Sequence, residues 1–170
     1  MSSVEASAPR AGRRCRPLEK TVTPLSLPAH APPAPRWLGA TALLGIAWNL
    51  YGLWQFVGSF TPSGQAAMTA GMSPEQAALY LALPAWMSVA FALGVLGGLL
   101  GSGLLLRRRR AALPVFAASF AGYAVLFAGD AYFGVFAALP SQLAILAVVV
   151  AIAAALWATA GWAARRHLLT

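Results

Sequence analysis

Three polar side chains within otherwise apolar stretches of the sequence are the residues best suited to chemistry. Asn49 and Gln55 lie in the first such stretch, and Asp130 lies near the end of the third. An acid within a membrane-spanning segment is a candidate functional residue, because lipid does not solvate its charge. If Asp130 faces the interior of a helix bundle, it is suited to proton coupling. If it lies at the outer boundary beside Tyr132, water hydrates it and it has no special role.

Asn49 also has two interpretations, because hydrocarbon provides no hydrogen-bond partner for its amide. In the first, Asn49 and Gln55 line a ligand cavity, and the rings of Trp48 and Tyr51 stack on an apolar or sugar face. In the second, Asn49 forms an interhelical hydrogen bond of about 0.6 to 2 kcal/mol and the rings pack against neighbouring helices. The first interpretation makes these four residues and Asp130 candidates for a substrate path.

Groups that serve in catalysis or metal binding are missing from the apolar stretches of the sequence. Both histidines, His30 and His167, and the single Cys15 lie outside these stretches. Serines within the stretches therefore have no histidine to activate them, and the glycines match neither phosphate-binding loop pattern. We expect a protein that is not an enzyme and that binds no metal, haem or other cofactor.

The composition predicts an all-α membrane protein. Apolar residues make up 59% of the 170 residues and charged residues only 9%, and a soluble fold cannot bury that much apolar surface. Crossing ~30 Å of hydrocarbon takes a helix of ~20 residues. Four stretches of about that length predict a bundle of four transmembrane helices, within a membrane domain at 37–167: about 37–57, 86–106, 113–132 and 142–163.

Residues 1–36 differ in composition from the rest of the chain. They are rich in proline and basic residues, which predicts a disordered cytoplasmic tail. A targeting peptide and an incorrectly assigned start codon are the alternatives. The apolar stretch that follows is as long as a full span, whereas the apolar part of a cleaved signal peptide is about 7 to 15 residues long.

Basic residues predict the orientation of the four spans, because Lys and Arg accumulate on the cytoplasmic side. Six precede the first span, ending with Arg36, and the rest lie on the second connection and after the last span: Arg107, Arg108, Arg109, Arg110, Arg165 and Arg166. These account for all twelve basic residues, and the two remaining connections have none. Both termini are therefore expected in the cytoplasm. This alternation follows lipid topology, so nucleic acid is not an expected partner.

The connection between the first two spans carries the pattern of a helix start. Ser73 can cap the helix, Pro74 suits its first position, and Gln76 completes a capping box. Glu75 suits the first turn, where the helix dipole favours an acid. We expect a short outer helix that breaks or kinks near Pro84.

The second span carries small residues on neighbouring ridges, which allow helix backbones to approach closely. This pattern has two interpretations: packing within the bundle, or docking of a second copy or another membrane protein. The small residues are Ala90, Gly94, Gly97, Gly98, Gly101 and Ser102.

Several segments after residue 37 resemble a group of small bacterial inner-membrane proteins with four spans, sometimes labelled "sugar transporter". The resemblance lies in Trp48-Asn49-Leu50-Tyr51-Gly52, in Met72-Ser73-Pro74-Glu75-Gln76 with Tyr80, in Pro84-Ala85-Trp86, and in the glycine-rich stretch 93–102 before the arginines. The resemblance implies four spans in the inner membrane of a bacterium, and transport of a sugar-like solute.

Two functions are therefore compatible with the sequence. The first is a small-solute transporter module that works as an oligomer, because four short helices enclose little space. The second is a non-catalytic membrane interaction or assembly protein that packs through its glycine-rich second helix. The lipid bilayer is a partner in both cases.

Overall fold

The computed structural model describes residues 35–170, which are helical and contain no strand. Seven helices lie in this part of the chain: α1 (Arg36–Gly58), α2 (Pro62–Thr69), α3 (Pro74–Leu81), α4 (Ala85–Leu106), α5 (Ala112–Tyr132), α6 (Val135–Ala138) and α7 (Pro140–Arg165). The predicted all-α class is confirmed. The predicted tail at 1–36 lies outside the described residues except for Pro35 and Arg36.

Three of the described helices, α4, α5 and α7, are long and apolar enough to cross a membrane. These helices are those of a multi-pass membrane protein. Helix α1 is also long enough, at 23 residues, but it is less apolar. Its polar and amphipathic residues, including Asn49, Tyr51 and Gln55, account for the difference.

The four long helices form a bundle in chain order. Helix α1 packs on α4, α4 packs on α5, and α5 packs on α7. The connections at 107–111 and 133–139 are short, which makes α4, α5 and α7 antiparallel neighbours. A buried cluster joins the start of α1, the end of α4, the start of α5 and the end of α7; its residues include Leu38, Leu105, Ala112 and Ala163. We call this the basic end, because all the arginines in the described part of the chain belong to the adjoining segments.

The C-terminal residues are held against the connection between α4 and α5 at the basic end. The Thr170 backbone N–H donates to the Arg108 carbonyl at 2.7 Å, and the Arg110 N–H donates to the Thr170 carbonyl at 2.9 Å. Leu169 lies between these contacts and the bundle and is buried. The last residues of the chain therefore close the basic end of the core.

The short helices α2, α3 and α6 lie at the opposite end, which we call the acidic end. The predicted capping box of α3 is formed, with the Gln76 N–H donating to Ser73 Oγ at 3.3 Å and Ser73 N–H donating to Gln76 Oε1 at 2.9 Å. Helix α3 ends at Leu81, so it is separate from α4, which begins directly after Pro84. Gln76 Nε2 also donates to the Ala138 carbonyl at 2.7 Å, which ties α3 to α6.

Some helix bounds differ from those predicted. Helix α7 begins at Pro140 rather than at residue 142, because proline suits the first position of a helix, where its missing N–H leaves nothing unsatisfied. Helices α2 and α6 were not predicted. Helix α2 begins after Thr61, whose hydroxyl accepts from the Gly64 N–H at 3.1 Å, and α6 begins after Gly134, which has a φ of +71°.

Candidate functional site

The small residues of α4 are packed inside the bundle, against α1 and α5. Gly98 lies against the side chain of Asn49. A Cβ atom on Gly94 would lie 2.7 Å from Tyr123 Cε1, and one on Gly101 would lie 2.8 Å from Phe116 Cδ1. These separations are shorter than real Cβ contacts, so only glycine allows the helices to approach this closely at these positions.

The other small residues of α4, which with these three glycines form what we call the glycine ridge, are also packed inside the bundle. Gly97 faces Ser119, with 3.0 Å between an added Cβ and Ser119 Cβ, and Ser119 Oγ donates to the Gly94 carbonyl at 2.6 Å. Ala90 and Ser102 are buried, and Ser102 Oγ donates to the Gly98 carbonyl at 2.8 Å. All six small residues thus lie at contacts within one chain. A second protein cannot dock on this ridge unless α1 or α5 moves away.

Asn49 is a buried residue, with 2% of its surface exposed. Its Nδ2 donates to the Gly45 carbonyl at 2.8 Å, and the Tyr123 hydroxyl donates to its Oδ1 at 3.5 Å. The cavity beside Asn49 has a volume of about 10 Å³. That volume is at the lower limit for a single water molecule. The geometry therefore favours the interpretation of Asn49 as a residue that packs α1 against α4 and α5.

Of the other candidates on α1, Tyr51 and Gln55 do not border the cavity beside Asn49. Gln55 Nε2 donates to the Tyr51 hydroxyl at 3.4 Å, and Tyr51 is 55% exposed. Trp48 borders the small cavity but is itself partly exposed. Tyr51 also contacts the ring of Trp54, with 6.1 Å between ring centroids. These side chains form an aromatic surface on the outside of α1.

Asp130 lies in the last turn of α5 and faces the interior of the protein, with 2% of its surface exposed. Of the two positions considered for Asp130, the interior of the bundle and the hydrated outer boundary, the structure shows the interior one. Its position is seven residues beyond Tyr123, or about 10 Å further along the helix, so it is separate from the Asn49 cavity. The described arginines all lie at the basic end, and none is available to pair with this carboxylate.

Two polar side chains from other helices lie near Asp130. The side-chain amide of Gln142, in the first turn of α7, lies where it can donate to the carboxylate. Tyr80, near the end of α3, lies close enough to feel its charge: burial and, second, the charge of Asp130 raise the pKa of Tyr80 above its ordinary value. Asp130, Gln142 and Tyr80 together form what we call the Asp130 cluster.

The cluster depends on close packing between α4 and α5. A Cβ atom on Gly129 would lie 2.8 Å from the Trp86 ring and 2.9 Å from Met87 Cε, so glycine lets α4 approach the residue next to Asp130. Gln142 and Tyr80 are not among the candidate residues predicted from the sequence. The position of Gln142 could have indicated this contact. Gln142 lies at the start of the fourth predicted span, at the same membrane level as the end of the third span, where Asp130 lies.

The other described acid, Glu75, has a structural role. Ser73 Oγ donates to Glu75 Oε2 at 2.8 Å, and this hydrogen bond lowers the pKa of the fully exposed Glu75 carboxyl. Among residues 35–170, no three His, Cys, Asp or Glu side chains lie together as metal ligands would.

Comparison with known proteins gives no further guidance, because no family model, curated protein or solved structure matches the chain.

Proposed function

We propose that the protein crosses a bacterial inner membrane four times, with α1 as the additional span and both ends in the cytoplasm. Helix α1 has the length to span, and several large apolar side chains on its outer face suit contact with lipid: Leu43, Leu44, Leu50 and Val57. The seven arginines of the described chain lie at the basic end and its two acids lie at the acidic end. The positive-inside rule then places the basic end in the cytoplasm.

We further propose that the protein is a small-solute transport module, with a sugar-like substrate, in which Asp130 is the coupling residue. The observation that carries this proposal is the burial of Asp130 without a basic partner among the described residues. A buried carboxylate is strongly disfavoured unless a proton or a bound group neutralises it. Binding or loss of that proton or group therefore changes the free energy of the conformation in which Asp130 is buried. Coupling of transport to proton binding requires such a dependence.

The cluster joins parts of the chain that can move relative to one another. Gln142 belongs to α7, Asp130 to α5, and Tyr80 to the short helix α3. Loss of the proton from Asp130 would favour hydration of the carboxylate and separation of these helices. The cavity of about 10 Å³ near Asn49 is too small for a sugar, so we place the proposed path between copies of the chain.

Transport can be tested with the full-length protein in liposomes that contain the pH-sensitive dye pyranine. A panel of neutral mono- and disaccharides is added outside, and internal pH and sugar uptake are followed together. We expect proton-linked uptake of at least one sugar, and its loss in Asp130→Asn. The matched control is Glu75→Gln, which removes the other acid at the same end and should retain uptake.

Two results would overturn the transport proposal. One is uptake by wild-type protein that does not exceed that of empty liposomes for any sugar in the panel. The other is uptake by Asp130→Asn that equals wild type, which would show that the buried carboxyl has no part in it.

The alternative function, a non-catalytic interaction or assembly protein, is favoured by the tight core. The cavity beside Asn49 is water-sized, and a bundle packed this closely there suits a structural role better than passage of a solute. The glycine ridge of α4 is occupied within the chain, so its partner would contact the outer faces of the helices. The liposome assay separates the two functions, since an assembly protein moves no solute. Neither proposal assigns an enzymatic activity.

A further inference from the structure

An open groove lies at the basic end, between the start of α1 and the last turns of α7. Its volume is about 430 Å³, and it is lined by Trp37, Ala158, Thr159, Trp162 and Arg165. The groove opens widely on the protein surface, so it can take part of a ligand that lies along the helices, which the cavity near Asn49 cannot.

The walls of the groove combine aromatic and cationic groups. The rings of Trp37 and Trp162 lie with centroids 5.2 Å apart, and Trp37 is 46% exposed. The guanidinium of Arg166 lies 5.6 Å from the centroid of the Trp162 ring. Indole rings at this position suit the boundary between headgroups and hydrocarbon, because they are apolar with one N–H donor.

The charge of the groove is not balanced by acids of the described chain. Arg165 lines it, while Arg36 and Arg166 are the neighbours in sequence of Trp37 and Arg165. Glu75 and Asp130, the acids within residues 35–170, both belong to the acidic end. A guanidinium group binds phosphate through two parallel hydrogen bonds, so the groove is complementary to a phosphate with an apolar body.

We propose that this groove binds an anionic phospholipid of the surrounding leaflet. The phosphate contacts Arg165, and the upper part of an acyl chain lies over Ala158 against the two indole rings. A lipid fits better than a soluble anion, because the groove opens on the outside of the bundle beside two membrane-embedded helices, where phospholipid is the abundant anion. The proposal rests on the topology proposed above, in which α1 is a span and the basic end lies among the headgroups, but not on transport of a solute.

Native mass spectrometry of the full-length protein in detergent can measure lipid binding directly. We expect dioleoyl phosphatidylglycerol to bind more tightly than dioleoyl phosphatidylcholine. Arg165→Gln should weaken phosphatidylglycerol binding about fivefold, as removal of one basic residue at a membrane surface implies. It should weaken phosphatidylcholine binding less, because that lipid has the same phosphate but no net charge. The matched control is Arg107→Gln, which removes an exposed arginine of the same end outside the groove and should retain the preference.

A second variant tests the groove without changing its charge. Ala158→Trp fills the space with an indole ring at an exposed position, so folding should be unaffected while phosphatidylglycerol binding is lost. Equal affinity of wild-type protein for the two lipids would overturn the proposal. So would equal losses in Arg165→Gln and Arg107→Gln, which indicate diffuse attraction, or unchanged binding in Ala158→Trp.

Discussion

Contacts of single residues in the centre of the bundle show why α4 is rich in glycine. A large polar side chain on α1 and aromatic rings on α5 project directly at its backbone, at Gly98, Gly94 and Gly101. In lipid, helix association depends on such close packing and on interhelical hydrogen bonds, because exposed and buried surfaces are equally apolar. The bond from Ser119 Oγ to the Gly94 carbonyl, at 2.6 Å, is possible only at this separation.

The substitution Gly98→Ala tests this packing. Its methyl group collides with Asn49 Oδ1, and the adjoining cavity of about 10 Å³ cannot take up the displaced amide. We expect the free energy of unfolding to fall by about 1 to 3 kcal/mol, as overpacking does in other cores. Unfolding in mixed micelles of dodecyl maltoside and sodium dodecyl sulfate provides the measurement.

A glycine of the same helix provides the control for this substitution. An added Cβ on Gly103 meets nothing within 4 Å, so Gly103→Ala should leave stability unchanged or raise it by up to about 1 kcal/mol through helix propensity. Equal destabilisation by both substitutions would show that α4 needs glycine for some other reason than contact with Asn49.

The direction in which a given residue points could be predicted only in part. The glycine ridge indicated close packing, but nothing in its spacing indicated that α1 and α5 are the helices it contacts. The orientation of Asp130 was left open for a physical reason. A helix with lipid on one side and protein on the other is apolar all round, so its pattern does not reveal which face is buried.

At the level of elements, the long helices were predictable and the short ones were mostly not. Helices α4 and α5 begin and end within one residue of the predicted spans, because bilayer thickness sets their length and the arginines at 107–110 must stay outside the hydrocarbon. The capping box predicted the start of α3. No sequence pattern predicts α6. Its four residues follow the turn at Gly134 and are held by the hydrogen bond from Gln76 of α3.

Gln76 joins two of these short elements, because its Oε1 caps α3 while its Nε2 donates to the Ala138 carbonyl of α6. Gln76→Glu keeps the capping oxygen and removes the donor. We expect the amides of Val135–Ala138 to exchange with deuterium about fivefold faster, as loss of one hydrogen bond implies, while those of α3 change little. Hydrogen–deuterium exchange with mass spectrometry measures both segments.

The exposed neighbour of Gln76 provides a control, since Glu75→Gln alters the charge of α3 without touching α6 and should leave exchange at Val135–Ala138 unchanged. If Gln76→Glu instead accelerates exchange in α3 alone, then Gln76 serves as a cap and does not tie the two helices together.

For the whole molecule, the distribution of charge is the basis of the proposed orientation in the membrane. The described arginines occupy one end and the described acids the other, as the alternation of basic and uncharged connections predicted. The number of spans depends on α1, whose aromatic and amide residues make it less apolar than α4, α5 and α7. Orientation and span number are therefore separate questions, and one set of reporters can address both.

Fusions of a reporter that is active only outside the cytoplasm, at residues 65, 109 and 138 and before Met1, test the proposed topology. With four spans and both ends inside, we expect activity at 65 and 138 and none at 109 or before Met1. A bundle in which α1 does not cross would give the same result at the three internal sites but activity before Met1, because residue 65 and the N-terminus would then share a side. Activity at 109 with none at 65 and 138 would contradict the orientation itself. Fusion after Thr170 provides the control, since α7 crosses in either case and this reporter should be inactive together with the one at 109.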